Sequence, residues 1–81
     1  MSILKIKVVD TAGQALPHQA VKVTGCDGLQ TNAAGMAQFL LDATSAEIDI
    51  NGVCVWAGDA STLAREEVFM QSAAGFSRQV S

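Results

Sequence analysis

The chain has few of the side chains on which most enzymes and metal sites depend. Its 81 residues include one histidine, two cysteines, one proline and no tyrosine. Only 16% of the residues are charged, whereas 49% are apolar. A disordered segment has the opposite balance, so the composition predicts a folded unit with a core. At this length we expect a single domain that spans residues 1–81.

Basic residues are also scarce. Five lysines and arginines stand against eight acidic residues, a formal net charge of −3. Nucleic-acid binding needs a surplus of positive charge, so we expect no nucleic-acid partner. No stretch approaches the roughly 18–20 apolar residues of a transmembrane helix, so we expect no membrane partner. The N-terminus, with Lys5 and Lys7 among apolar residues, does not follow the pattern of a signal peptide. We therefore expect a cytoplasmic protein, with export by another route left open.

The cysteine content favours a reduced protein. Cys26 and Cys54 lie 28 residues apart, and a small secreted scaffold usually has four or more cysteines. Two free thiols are therefore the favoured interpretation. A disulfide stays open if the two strand segments are neighbours, and it would contribute on the order of 3 kcal/mol through loop closure.

Alternating apolar residues indicate strands along most of the chain. The segments with this pattern are residues 3–9, 20–24, 36–42, 46–50 and 53–56. Leu40 lies opposite the apolar side of its segment, which leaves open that both faces of this strand are covered. Residues 61–70 fit a short helix or a strand over 66–71, and residues 76–80 a last strand or a frayed end. Short strands with turn signals every 8–12 residues predict an all-β sandwich.

The strongest local signal is the Asn51-Gly52 dipeptide between alternating apolar residues. Such a pair favours a type I′ turn, because both central positions of this turn need a positive φ. A two-residue turn fixes the register of the hairpin, and facing residues share one side of a sheet. Strict alternation then predicts an apolar face made of Ile48, Ile50, Val53 and Val55. The other face contains Glu47, Asp49, Cys54 and Trp56.

This second face is the candidate binding surface, with Trp56, Glu47, Asp49 and Cys54 as its residues. An exposed Trp56 would anchor an interface or stack on a ligand, whereas a hairpin covered on both faces would make it core. A carboxylate beside Cys54 raises the pKa of its thiol, so we expect no activated nucleophile. His18 lacks partners for a metal site and is interpreted as an exposed turn residue. We expect no catalytic residue, no metal and no cofactor.

Two stretches of the chain resemble a known family. Residues 9–23 read V-D-T-A-G-Q-A-L-P-H-Q-A-V-K-V, and residues 28–39 read G-L-Q-T-N-A-A-G-M-A-Q-F. These strand ends, glycine turns and the T-N-x-x-G motif are similar to those of carboxypeptidase regulatory-like, Cna-B and transthyretin-like domains. The resemblance covers about residues 3–57. It implies a small Greek-key, immunoglobulin-like sandwich of about seven strands, of a kind that acts as a structural, adhesive or binding appendage.

Two activities of that family have requirements that this chain does not meet. An isopeptide bond from Lys5 or Lys7, with Glu47 as the acid, needs an Asn or Asp acceptor in the last strand, and residues 60–81 contain neither. The transthyretin-like hydrolases of 5-hydroxyisourate have a histidine where this chain has Lys7. They also end in Tyr-Arg-Gly-Ser, whereas this chain has no tyrosine and ends in F-S-R-Q-V-S. We therefore expect no enzyme.

The leading expectation is a non-catalytic interaction or structural module that docks on a larger protein. The alternative is a small-ligand or carbohydrate-binding module that uses the Trp56 face. Self-association of copies of the chain stays open.

Overall fold

The structure is a computed structural model that describes residues 2–41, 44–63 and 65–79. Its strands are β1 Ser2–Val9, β2 Ala20–Val23, β3 Leu29–Gln30, β4 Met36–Leu41, β5 Ser45–Ile50, β6 Val53–Asp59, β7 Glu66–Ser72 and β8 Gly75–Gln79. A single-turn 3-10 helix, Ala60–Thr62, lies between β6 and β7. In the described part of the chain, no helix is long and apolar enough to cross a membrane.

The eight strands form two four-stranded sheets that pack against each other. Sheet A has the order β4-β1-β7-β8, and sheet B has the order β3-β2-β5-β6. Strands β1 and β7 pair in parallel, whereas the other pairs named here are antiparallel. The core lies between the sheets and includes Leu4, Ile6, Ile48, Ile50 and Phe69, all of them fully buried. The predicted all-β sandwich is confirmed, with eight strands where about seven were expected.

Alternation explains which side chains point inward. In β1 the apolar Leu4, Ile6 and Val8 are buried, while Lys5 between them is exposed. A strand that is half covered needs this period of two, because successive side chains leave opposite faces of a sheet. Leu40, in contrast, is 59% exposed, so the suggestion that both faces of β4 are covered is wrong.

After the 3-10 helix, the described C-terminal residues form mainly strands. The alternative of a strand over residues 66–71 is confirmed by β7, and the last segment forms β8. The predicted ends at residues 42 and 80 lie outside the described residues. Strand β3 was not expected, because two residues are too few for a visible alternation.

Turn chemistry positions the loops as the sequence indicates. The Asp10 carboxylate accepts hydrogen bonds from the backbone amides of Ala12 and Gln14 at 2.8 and 2.9 Å. Gly35 has a φ of 72°, and a Cβ there would lie 2.7 Å from the carbonyl oxygen of Val8. The fold therefore requires glycine at this corner, both for its backbone conformation and for the close approach of β1.

Candidate functional site

The hairpin that carries the candidate site turns where the sequence predicts. Asn51 and Gly52 have φ angles of 53° and 82°, as a type I′ turn requires. The Asn51 side chain also fixes the turn to β2: its Oδ1 accepts from the amide of Ala20 at 2.9 Å, and its Nδ2 donates to Gln19 Oε1 at 2.8 Å. The turn prediction is confirmed, and the register next to the turn follows from it.

A β-bulge changes the register two residue pairs beyond the turn. Ile50 pairs with Val53 and Asp49 pairs with Cys54, as predicted. The ladder then shifts, so that Ile48 pairs with Trp56 and Val55 is the extra residue. An extra residue in one strand moves each later side chain of that strand to the face opposite to the one that strict alternation predicts. The predicted pairs of Ile48 with Val55 and of Glu47 with Trp56 are therefore wrong.

Trp56 consequently lies on the inner side of sheet B rather than on the candidate surface. It is half-buried and packs against the core, as does Val55. Val53, which was placed on the apolar face, is 53% exposed because β6 is an edge strand. Trp56 is thus a contact between the sheets and not an exposed anchor for a ligand.

Two residues that sequence reasoning missed hold Trp56 in place. The Arg78 guanidinium lies 5.9 Å from the centre of the Trp56 ring, within the range of a cation–π contact. Arg78 also donates two hydrogen bonds to the Glu67 carboxylate, at 2.6 and 3.0 Å, and these bonds raise the pKa of Arg78 above its ordinary value. Glu67 is only 4% exposed. The three side chains, which we call the edge cluster, join β6 of one sheet to β7 and β8 of the other.

The other three predicted site residues do lie together. Glu47, Asp49 and Cys54 are on the outer face of sheet B, and their carboxylate oxygens and thiol sulfur lie within 4.8 Å of one another. We call them the acidic cluster. Partial desolvation, together with the charges of Glu47 and Asp49, raises the pKa of the Cys54 thiol. The direction of this shift is the one predicted from the neighbouring carboxylates, and a raised pKa favours the protonated thiol over the thiolate.

One atom of the acidic cluster is unusual. Asp49 Oδ1 is buried and has no hydrogen-bond partner among the residues that the structure describes. A buried acceptor without a donor costs roughly 1–3 kcal/mol, and more when it is charged.

A groove of about 430 Å³ adjoins Asp49 on the same face of the sheet. It is lined by Ala20, Val21, Lys22, Gly28, Leu29, Gln30, Asp49 and Gly52. Alanine and glycine fill little space, so they leave a depression over β2. Sequence reasoning missed the groove because it depends on the pairing of β2 with β3 and β5, which are distant in the chain.

The acidic cluster offers three atoms of a kind that binds divalent metals. Thiolate and carboxylate are both metal ligands, but a metal must first displace the proton of the thiol. The neighbouring acids hold this proton on Cys54. The arrangement is consequently better suited to accept hydrogen bonds and positive charge than to hold an ion through sulfur.

The remaining candidate residues lie apart from this face. Cys26 and Cys54 are both free thiols, which confirms the favoured interpretation of the cysteines. Cys26 is half-buried, and its Sγ lies 3.2 Å from the carbonyl oxygen of Leu40. His18 is exposed in its turn with a φ of 61°, as expected.

Comparisons with known proteins find no matching family model, no matching curated protein and no matching solved structure. The likeness of residues 3–57 to carboxypeptidase regulatory-like domains therefore stays a prediction. The acidic cluster and the groove are therefore the features from which a function can be inferred.

Proposed function

We propose that the chain is a non-catalytic protein-interaction module that docks on another protein through the outer face of sheet B. The observation that carries this proposal is the pair of carboxylates of Glu47 and Asp49 on the outer face of sheet B, beside an open groove. A partner that supplies basic or amide donors would bind these carboxylates, and charge-assisted hydrogen bonds are among the strong ones. An apolar side chain of the partner would fill the groove.

The size of the domain also supports a docking role. A domain of about 60–80 residues buries a smaller share of its surface than a large one, so its core supplies only marginal stability. An interface removes further apolar surface from water and stabilises the folded state by mass action.

The absence of catalysis is part of the same proposal. An acid–base or nucleophilic site needs a group whose pKa is tuned toward the working pH. In the acidic cluster the shift of the Cys54 pKa goes the other way, because desolvation and the charges of two carboxylates both oppose a further negative charge. We further propose the Greek-key, immunoglobulin-like type of sandwich, which the turn chemistry at Asp10, Gly13 and Gly35 supports.

Site-specific photo-crosslinking tests the docking face. A photoreactive phenylalanine at the exposed Ala57, whose strand partner is Glu47, places the probe at the rim of the acidic cluster. We expect crosslinks that an excess of unlabelled wild-type chain removes by competition. An unlabelled chain with Glu47→Lys and Asp49→Lys should not compete. The matched control has the same probe at Ala33, in the exposed loop before β4. Equal crosslinking from both positions, or equal competition by both chains, would contradict the proposal.

The groove supports a second candidate function, the binding of a small ligand such as a carbohydrate. Its volume of about 430 Å³ lies within the range of about 300–1,000 Å³ that ligand pockets occupy. Trp56 fluorescence would not report on it, since Trp56 faces inward. Amide NMR shifts at Gly28 and Gly52 during titration with mono- and disaccharides are the direct measurement. Saturable shifts that disappear in Asp49→Ala would favour this function over protein docking.

A further inference from the structure

The outer faces of the two sheets carry opposite charges at matching spacing. We propose that the partner on the acidic face is a second copy of this chain, which presents the outer face of its sheet A. The inference rests on the docking surface proposed above and names its occupant. The copies would associate head to tail, because the two faces in contact differ.

The outer face of sheet A is basic and apolar. Lys5 and Lys7 leave β1 on the side away from the core, two residues apart on an interior strand, which places them about 7 Å from each other. Glu66 is the strand partner of Lys5 on this face. Ile3 and Leu40 pair directly across β1 and β4 and are 49% and 59% exposed. Such a pair of exposed aliphatic side chains favours contact with another protein.

The outer face of sheet B reverses this arrangement. Glu47 and Asp49 are also two residues apart on an interior strand, so their spacing matches that of the two lysines. Lys22 is the strand partner of Asp49, as Glu66 is the strand partner of Lys5. Asp59 of β6, the strand partner of Ser45, adds a third acid to this face, so sheet B has three acids and one lysine where sheet A has two lysines and one acid. In the part of the chain that the structure describes, no ion pair joins these seven side chains to one another.

A contact of one face on the other brings groups of opposite charge together. The lysine ammonium groups of one copy can donate to the carboxylates of Glu47 and Asp49 of the next. The groove beside Asp49 offers space for the exposed apolar side chains of sheet A. A specific interface needs about 500 Å² from each partner, roughly a tenth of the 4892 Å² of this molecule. One face of a sandwich measuring 32 × 23 × 21 Å provides that area.

The position of the charges predicts an open assembly. After a heterologous contact one copy still has its basic face free and the other its acidic face, so association continues unless a ring closes. The charges are at the surface, so salt screens them, with a screening length of about 8 Å at physiological ionic strength. We expect association to grow with protein concentration and to weaken about tenfold between low and high salt.

Sedimentation of charge-reversed chains tests the pairing. In K5E/K7E both faces are acidic, and in E47K/D49K both are basic, so each chain alone should sediment as a monomer of about 8.4 kDa. Their equimolar mixture should recover the assembly of the wild-type chain, because every contact is again between opposite charges. A chain with glutamate at the exposed Thr11, Ala12, Ala33 and Ala34 has the same net charge as K5E/K7E and should still associate.

The results of sedimentation either support or contradict association between copies of the chain. A wild-type chain that stays monomeric at millimolar concentration and low salt overturns it, as does association that the reversals leave unchanged or a mixture that fails to recover. If a reversed chain does not fold by circular dichroism, K5Q/K7Q and E47Q/D49N replace it, with at least tenfold weaker association expected. A monomeric wild type whose Ala57 probe still crosslinks specifically to a different protein would retain the proposed docking function and reject only the second copy.

Discussion

Strands β5 and β6 are joined by a two-residue turn, yet only β5 alternates throughout. In β5 every second residue is buried, whereas in β6 two neighbours, Val55 and Trp56, are half-buried between exposed residues. The single extra residue of the bulge accounts for the difference. A tight turn therefore fixes the register of a hairpin only as far as the first irregularity of its ladder.

The two strands therefore have different roles in the fold. β5 supplies the centre of sheet B, with Ile48 and Ile50 in the core and the acids of the acidic cluster outside. β6 lies at the edge, where the bulge turns Trp56 inward to meet Arg78 of sheet A. The bulge thus separates the predicted binding residues into a surface group and a residue that closes the sandwich.

Alanine substitutions on the two strands test this comparison with the largest expected effect. Ile48→Ala removes a fully buried side chain and should lower the free energy of unfolding by about 3–4 kcal/mol. Trp56→Ala removes a half-buried ring and should lower it by about 2 kcal/mol, since part of the ring is already in water. Urea unfolding followed by circular dichroism measures both.

Val53→Ala is the matched control on β6. Val53 precedes the bulge and is 53% exposed, so its loss should cost less than about 1 kcal/mol. If Trp56→Ala were as mild as Val53→Ala, the ring would be on the outer face and strict alternation would be right after all.

Substitutions of Arg78 test how the edge of β6 is held. Arg78→Ala deprives the buried Glu67 of its bidentate partner and Trp56 of its cation. Removal of one partner of a buried pair costs about 3–5 kcal/mol. Arg78 is 30% exposed, and this solvent screening reduces our expectation to about 2 kcal/mol. Arg78→Lys keeps the charge but loses the planar fork, and should cost about half as much.

The same urea unfolding experiment compares the stability of the Arg78→Ala chain with that of a chain in which both charges are removed. Glu67→Met with Arg78→Met removes both charges and should be closer to the wild type in stability than Arg78→Ala. An Arg78→Ala chain as stable as the wild type would show that the edge cluster does not contribute to closing the sandwich.

Local patterns were sufficient for the parts of the fold that depend on neighbouring residues. The inward side chains of β1 and β5 follow from alternation, and the turns at Asp10 and at Asn51-Gly52 follow from the conformations that these residues favour. The proximity of Glu47, Asp49 and Cys54 was also correct, because Asp49 and Cys54 pair before the bulge and Glu47 follows from the regular alternation of β5.

The features that were missed depend on long-range geometry. Val55 gives no sign of a bulge, since Val-Cys-Val-Trp reads equally well as a regular strand. Glu67 is two residues from the buried Phe69 and so lies on the inward face of β7. This spacing was the available signal that the Glu67 carboxylate needs a hydrogen-bonding or charged partner within the fold. Its partner Arg78 becomes visible only when β7 and β8 pair.

The reactivity of Cys54, the last paired residue before the bulge, gives the smallest expected effect. In a Cys26→Ser background, Glu47→Gln with Asp49→Asn should increase the alkylation rate of Cys54 by iodoacetamide at pH 8 a few-fold. The reason is that the two carboxylates hold the pKa of the thiol above its ordinary value, so their neutralisation lowers the pKa and increases the thiolate fraction. The gain should disappear above the raised pKa, where the thiol is ionised in both chains. Glu66→Gln on the other sheet serves as the control and should leave the rate unchanged. Equal rates in all three chains would mean that Cys54 does not share a face with the acids, and the register before the bulge would have to be revised.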